Sequence, residues 1–136
     1  MSGVVVEAPD RVTFKLATAG NRELPPTADV PADAVKWAKW GILDCTGVAL
    51  AGSATETSAI INNYLEFVGG NPQARVLGLG VKTSAPEAAM ANGTLAHALD
   101  YDDVGGFGHP TAVLAPVIYA LADLTKPSGK EALEAY

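Results

Sequence analysis

The chain has 136 residues, of which 49% are hydrophobic and 18% charged, and its formal net charge is −6. This apolar content excludes an intrinsically disordered chain, and nine Lys and Arg against fifteen Asp and Glu leave no large basic patch for a nucleic acid. A single cysteine excludes an internal disulfide and a thiolate zinc cluster, and no apolar run reaches the roughly 18–20 residues that span a bilayer.

The N-terminal part of the chain is irregular. Residues 1–30 contain three prolines, and within them only residues 13–19 are predicted to form a short helix. The first residues lack the basic stretch and long apolar core of a signal peptide, so we expect a cytoplasmic protein that does not enter a membrane. Residues 31–136 are predicted to form an incomplete helical domain.

Helical periodicity begins at Pro31, which suits a first helical turn. Apolar residues then recur at spacings of three and four as far as Gly52, and a second helix is predicted over residues 57–68. Residues 74–80 include β-branched side chains and end in glycine, which predicts a short strand. The first of these helices includes Val35, Ala38, Ile42, Cys45 and Ala49 on its apolar face.

Three side chains of the first helix are of types that often occur in functional sites. We predict that all three have structural roles. Cys45 lies on the apolar face and is predicted to be a buried small hydrophobe rather than a nucleophile. Trp37 and Trp40 are three residues apart, which is typical of side chains that pack against a neighbouring helix.

The second half of the chain is predicted to be helical as well. Ser84 and Glu87 have the spacing of a capping box, so a helix rich in small residues is expected to start here and to run towards Asp100. A further helix is predicted over residues 111–124, with Pro116 in its interior. With 24 alanines in the sequence, we predict a mainly α fold.

A second capping box, Ser128 and Glu131, predicts a helix start close to the last residue. Only five residues follow Glu131, and an isolated helix of that length is marginal in water. The segment could be a short frayed helix. We favour the interpretation that the chain is the N-terminal part of a longer protein.

Candidate chemistry is concentrated between residues 97 and 109. Both histidines of the chain, His97 and His109, lie in this window together with Asp100, Asp102 and Asp103. On a continued helix, His97, Asp100 and Asp103 would share one face. Carboxylate and imidazole are the common proton-transfer groups, so the window is a candidate active site.

Structural interpretations of the same residues remain open. His97 could be a hydrogen-bonded core histidine, the paired aspartates could be solvated residues at a helix end, and His109 could simply precede the next helix. Asp100, Asp103 and a histidine could also hold a metal ion, although their spacing matches no zinc signature. The glycine-rich residues 104–108 lack the lysine of a phosphate-binding loop, and a mobile loop or lid is the better interpretation.

Residues 92–103 (NGTLAHALDYDD), followed by residues 108–111 (GHPT), resemble the signature region of the MmgE/PrpD family. Residues 42–53 (ILDCTGVALAGS) and 88–93 (AAMANG) extend the resemblance upstream. The family includes 2-methylcitrate dehydratase, cis-aconitate decarboxylase and iminodisuccinate epimerase. The resemblance implies a large all-helical domain, homodimers formed through that domain, and no metal or organic cofactor.

The family reactions remove a proton from, or add one to, a carbon next to a carboxylate, so the resemblance implies a lyase or epimerase of small di- or tricarboxylates. It places Asp100 and His109 in the catalytic site, because both positions line the active site in the decarboxylase branch. We further predict that His97, Asp103 and Thr111 bind substrate. A 2-methylcitrate dehydratase-like activity is the leading hypothesis.

Some positions depart from the decarboxylase branch. Val104 stands where that branch has threonine, Ala112 where it has glycine, and the connection between Asp103 and His109 is one residue shorter. These departures weigh against cis-aconitate decarboxylase but not against the family.

A further hypothesis belongs to another class: the chain could be a short non-catalytic paralogue that assembles with a longer chain. No Lys or Arg lies between Lys82 and Lys126, so cations for a polycarboxylate must come from elsewhere. We therefore expect these 136 residues alone to be inactive.

Overall fold

The computed structural model describes residues 30–105 and 108–136. Within these ranges the order of elements is α1 (Ala32–Gly52), α2 (Glu56–Val68), β1 (Ala74–Arg75), β2 (Lys82–Thr83), α3 (Ala85–His97), α4 (Pro110–Thr125) and α5 (Gly129–Ala135). The predicted mainly α fold is confirmed. The helix predicted at residues 13–19 lies outside the described residues. None of the described helices combines the length and apolar character needed to cross a membrane.

Helix α1 starts and ends where the apolar spacing predicted. Its inner face carries small residues, namely Ala38, Cys45, Ala49 and Gly52, all of them buried. Trp37 and Trp40, which were expected to pack against a neighbouring helix, are instead 68% and 60% exposed. The described helices contact only one face of α1, because its packing partners are mainly α3 and α4. The tryptophans lie away from that face.

Helices α3 and α4 form the centre of the fold, and small side chains allow them to approach closely. Pro116 has no backbone N–H, so the carbonyl of Ala112 lacks its usual donor four residues later in α4. That carbonyl oxygen faces Gly93 of α3, where an added Cβ would lie only 2.9 Å from it. The missing side chain at Gly93 therefore sets the distance between the two helices.

The predicted strand at residues 74–80 is shorter in the structure and pairs with a second strand that the sequence pattern did not indicate. β1 is antiparallel to β2, with Ala74 opposite Thr83. The buried side chain of Asn92 in α3 also forms hydrogen bonds with the backbone at and just after β1. Its Oδ1 accepts from the backbone N–H of Leu77 at 2.8 Å, and its Nδ2 donates to the carbonyl of Arg75 at 3.0 Å. A helix side chain thus replaces a third strand.

The two predicted capping boxes have different outcomes. At Ser128 the box forms in full, with Ser128 Oγ accepting from Glu131 N and the Glu131 carboxylate accepting from Ser128 N. At Ser84 the helix starts as predicted, but the Ser84 side chain makes no capping hydrogen bond. The Oε1 of Gln73 accepts from the N–H of Ala85 at 3.3 Å and takes that role.

Asp123 joins α4 to β1. Its carboxylate accepts from the backbone N–H of Arg75 at 2.8 Å and from the guanidinium Nη2 at 2.6 Å. These hydrogen bonds from Arg75 lower the pKa of Asp123 to about 2. The Arg75 side chain is 69% exposed, so solvent screens part of the attraction.

We expect Asp123→Asn to lower the free energy of unfolding by about 1 kcal/mol at pH 7, because charge-assisted hydrogen bonds become neutral ones. A carboxylate whose pKa is lowered on folding stabilises the fold above its ordinary pKa, and that contribution disappears as the pH falls through the folded value. The variant and the parent should therefore converge in urea unfolding between pH 4 and about 2. The exposed Asp44→Asn is the control, and an equal pH dependence in both variants would contradict the assignment.

Candidate active site

The end of α3 and the start of α4 bring the two histidines together. His97 is the last residue of α3, and His109 immediately precedes α4. Their ring centroids are 4.4 Å apart, with the ring planes tilted by 59°. The close packing of α3 against α4, rather than sequence proximity, creates this pair.

Asp102 lies between the two imidazoles, and its side chain is 1% exposed. Its Oδ1 is 2.9 Å from His97 Nδ1, and its Oδ2 is 3.2 Å from His109 Nδ1. The hydrogen bond with Asp102, reinforced by the charge of that carboxylate, raises the pKa of His97. A buried carboxylate needs such partners, because an isolated charge in an apolar interior is costly.

The contact between His109 and Asp102 has ion-pair distance but not the orientation of a hydrogen bond. The Nδ1 of His109 is buried and has no hydrogen-bond partner among the described residues. Because Asp102 Oδ2 is 3.2 Å away, this oxygen is the atom best placed to satisfy that nitrogen.

Asp100 occupies an unusual backbone position. Helix α3 ends at His97, and Asp100 has a φ of 55°, in the left-handed region that aspartate tolerates better than most residues. The predicted helical face shared by His97, Asp100 and Asp103 therefore does not exist. The exposed Asp100 still reaches the site, with its Oδ1 3.6 Å from His109 Nε2.

Asp103 and Thr111 pair with one another instead of joining the histidines. The carboxylate of Asp103 accepts from Thr111 N at 3.1 Å and from Thr111 Oγ1 at 2.7 Å. A carboxylate at a helix N-terminus is favoured by the helix dipole. Thr111 is 1% exposed, and its hydroxyl also contacts the hydroxyl of Tyr136. These contacts anchor the start of α4, and substrate binding by Asp103 and Thr111 stays a prediction.

The connection that follows Asp103 closes on itself before His109. Gly105 and Gly108 exchange two backbone hydrogen bonds, with N···O distances of 2.8 and 2.9 Å. Residues 106 and 107 lie outside the described residues, so the predicted lid is not tested.

His97, Asp100, Asp102 and His109 form what we call the histidine–aspartate cluster. One ligand atom from each residue lies within 4.8 Å of the others, so the cluster has the dimensions of a divalent-cation site. The same atoms are also arranged for proton transfer, because each imidazole faces a carboxylate. Asp103, a candidate metal ligand in the sequence, is held by Thr111 and is not part of this group.

An open groove of about 700 Å³ borders the cluster. His97 and His109 line it together with mostly apolar or small residues, and none of the described residues that line it is Lys or Arg. A molecule of a few carbon atoms bound here would contact both imidazoles. The remaining walls include Ala89, Met90, Ala112, Val113 and Val117.

Cys45 lies against the first turn of α4, and we assign it no part in the chemistry of the cluster. It is 1% exposed, and its Sγ donates to the carbonyl of Thr111 at 3.6 Å. Burial, together with the charges of Asp102, Asp103 and Asp44, raises its pKa to about 11. A thiol that stays protonated is a poor nucleophile, which agrees with the predicted structural role.

Asp102 is the member of the cluster that sequence reasoning did not select. Three aspartates lie within residues 100–103 of the sequence. Helical spacing from His97 selected Asp100 and Asp103 as the candidate site residues. Only the end of α3 at His97 and the left-handed turn at Asp100 direct the Asp102 side chain inward.

The family model described as the MmgE/PrpD N-terminal domain matches residues 25–136, and the match includes the whole histidine–aspartate cluster. No curated protein matches the chain.

Proposed function

This chain belongs to the MmgE/PrpD family, and we propose that its complete gene product is a dehydratase-type lyase that acts on a small di- or tricarboxylate. The leading substrate candidate is 2-methylcitrate. The observation that carries the proposal is the pair of imidazoles on one buried carboxylate at the edge of the groove. Such an arrangement supplies a base and a cationic contact for a carboxylate within one substrate length of each other.

The proposed reaction removes water. His109 takes the proton from the carbon next to a substrate carboxylate, and the electrons of that C–H bond form the new double bond. The C–O bond on the neighbouring carbon breaks, and the hydroxyl leaves as water after an acid has protonated it. Asp100, whose Oδ1 is 3.6 Å from His109 Nε2, serves as that second acid–base group.

His97 has a different proposed role, that of a cationic contact for the substrate. Its pKa is raised by Asp102, so it carries a positive charge more readily than a free imidazole. A charged imidazole beside the groove favours a substrate carboxylate. The role of His97 as a substrate-binding residue is therefore supported by its electrostatics.

A polycarboxylate needs more positive charge than one imidazole provides. Within residues 30–105 and 108–136, no Lys or Arg lines the groove. We propose that the remaining cations come from outside these 136 residues, either from a longer chain or from a second subunit. Homodimer formation through the helical domain is part of this proposal. The exposed Trp37 and Trp40 on α1 support it, because large aromatic side chains are typical of the centres of interfaces.

The test is an assay of the complete gene product, expressed as a cytoplasmic protein, with 2-methylcitrate, cis-aconitate and iminodisuccinate. We expect loss of water from 2-methylcitrate, and a molar mass by light scattering that corresponds to a dimer. Decarboxylation of cis-aconitate or epimerisation of iminodisuccinate would replace the dehydratase assignment within the family. Turnover by a monomer of the 136-residue chain would contradict the proposed origin of the missing cations.

A further inference from the structure

Asp102 is the most deeply buried acidic group of the histidine–aspartate cluster. Its ion pairs among the described residues are with His97 and His109, and no lysine or arginine compensates its charge there. Asp100, by contrast, is 78% exposed, so water can solvate it. The charge of Asp102 therefore depends on the two imidazoles.

The ring nitrogen that faces the Asp102 carboxylate determines where each imidazole carries its proton. An ionised carboxylate only accepts hydrogen bonds, so a ring nitrogen that faces it must carry hydrogen. Both histidines present Nδ1 to Asp102, His97 at 2.9 Å and His109 at 3.2 Å. A neutral imidazole protonated at Nδ1 has its lone pair at Nε2.

The exposure of His109 agrees with this arrangement. Its side chain is 27% exposed although Nδ1 is buried, so the accessible part of the ring excludes Nδ1. The imidazole lines the groove, and its Nε2 lies on the side of Asp100 rather than of Asp102. Since Nδ1 is buried beside Asp102, Nε2 is the ring nitrogen that remains for a substrate proton.

We propose that Asp102 is a positioning residue: its carboxylate accepts from Nδ1 of His97 and, 3.2 Å from Nδ1 of His109, holds the proton of that ring on Nδ1, which leaves Nε2 of His109 as the proton-transfer atom. This inference rests on the proposed function for its catalytic part. A fixed tautomer is worth a large factor in rate, because an imidazole protonated at the wrong nitrogen cannot accept the substrate proton.

Asparagine at position 102 is a sharp test, because its amide has one accepting oxygen and one donating nitrogen. It can accept from the Nδ1–H of one histidine, but it must donate to Nδ1 of the other. In Asp102→Asn we therefore expect one of the two neutral imidazoles to switch to the Nε2–H tautomer. Where His109 is the ring that switches, we expect kcat of the complete protein to fall at least about 100-fold. KM should rise as well, because the carboxylate that raises the pKa of His97 is lost.

The tautomers are read by NMR of ¹⁵N-histidine-labelled protein, at a pH above the titration of both imidazoles. Signals of the two rings are assigned by their loss in His97→Gln and His109→Gln. Asp103→Asn is the matched control, since it removes a charge from the adjacent residue, which contacts Thr111 instead of the imidazoles. In this control both histidines should keep the Nδ1–H tautomer.

The unmodified protein provides a test that does not depend on whether Asp102→Asn folds. Neutral His109 with its proton on Nε2 would overturn the inference, as would an Asp102→Asn variant that keeps both Nδ1–H tautomers. A normal kcat in a variant with a switched His109 would also overturn it. An inactive parent protein with both expected tautomers would contradict the proposed function and leave the positioning of the rings by Asp102 standing.

Discussion

Replacing His109 with glutamine is expected to lower kcat of the complete protein at least about 100-fold. Glutamine retains hydrogen-bonding atoms at a similar distance from the backbone, but it cannot accept the substrate proton. The residue lies before the first turn of α4 and is partly exposed, so the substitution should leave the fold intact. Steady-state kinetics and a thermal melt of the same preparation measure the two effects separately.

His97→Gln is the matched variant for this experiment. It removes the other imidazole of the pair, whose proposed task is to attract a substrate carboxylate rather than to take the proton. We expect a higher KM and a smaller loss of kcat than for His109→Gln. Near-normal turnover by the folded His109→Gln protein would remove His109 from the mechanism, and identical kinetics for both variants would contradict the division of roles.

Gly52→Ala is expected to lower the free energy of unfolding by about 3 kcal/mol. Gly52 is the buried last residue of α1, and it lies against the C-terminal turns of α3. A Cβ added here would overlap the carbonyl oxygen of Leu95 and lie 2.9 Å from its carbonyl carbon. Backbone cannot rotate away as a flexible side chain can, so α1 and α3 would have to separate.

Gly47→Ala in the same helix is the control, because its Cβ would meet nothing within 4 Å. Alanine is favoured over glycine in a helix interior, so this variant should be stabilised by about 0.5–1 kcal/mol. Urea unfolding of both variants at neutral pH gives the comparison. A loss at Gly47 as large as that at Gly52 would show that the contact with Leu95 does not control the outcome.

The helices were predictable because local signals and packing agree. Small and apolar residues at helical spacing gave α1 its correct limits, and the Ser128 box marks the true start of α5. β2 was not predictable, because two residues cannot show a periodic pattern. The Ser84 box failed because Gln73 takes the capping role through a contact twelve residues away.

The candidate site was predictable as a region, but not in its internal arrangement. The concentration of His97, His109 and the aspartates in one window identified the place. Which carboxylate faces inward depends on the left-handed backbone at Asp100, and several conformations of the same residues would have satisfied the sequence pattern. The pairing of Asp103 with Thr111 could not be anticipated either, because it requires the start of α4 to lie beside the end of α3.

The bridge between Gly105 and Gly108 has a consequence for the entropy of the site. Its two backbone hydrogen bonds hold the chain together one residue before His109, so fewer free backbone torsions separate Asp102 from His109 than their distance in the sequence implies. Keeping Asp102 beside His109 therefore costs less conformational entropy than an open connection would.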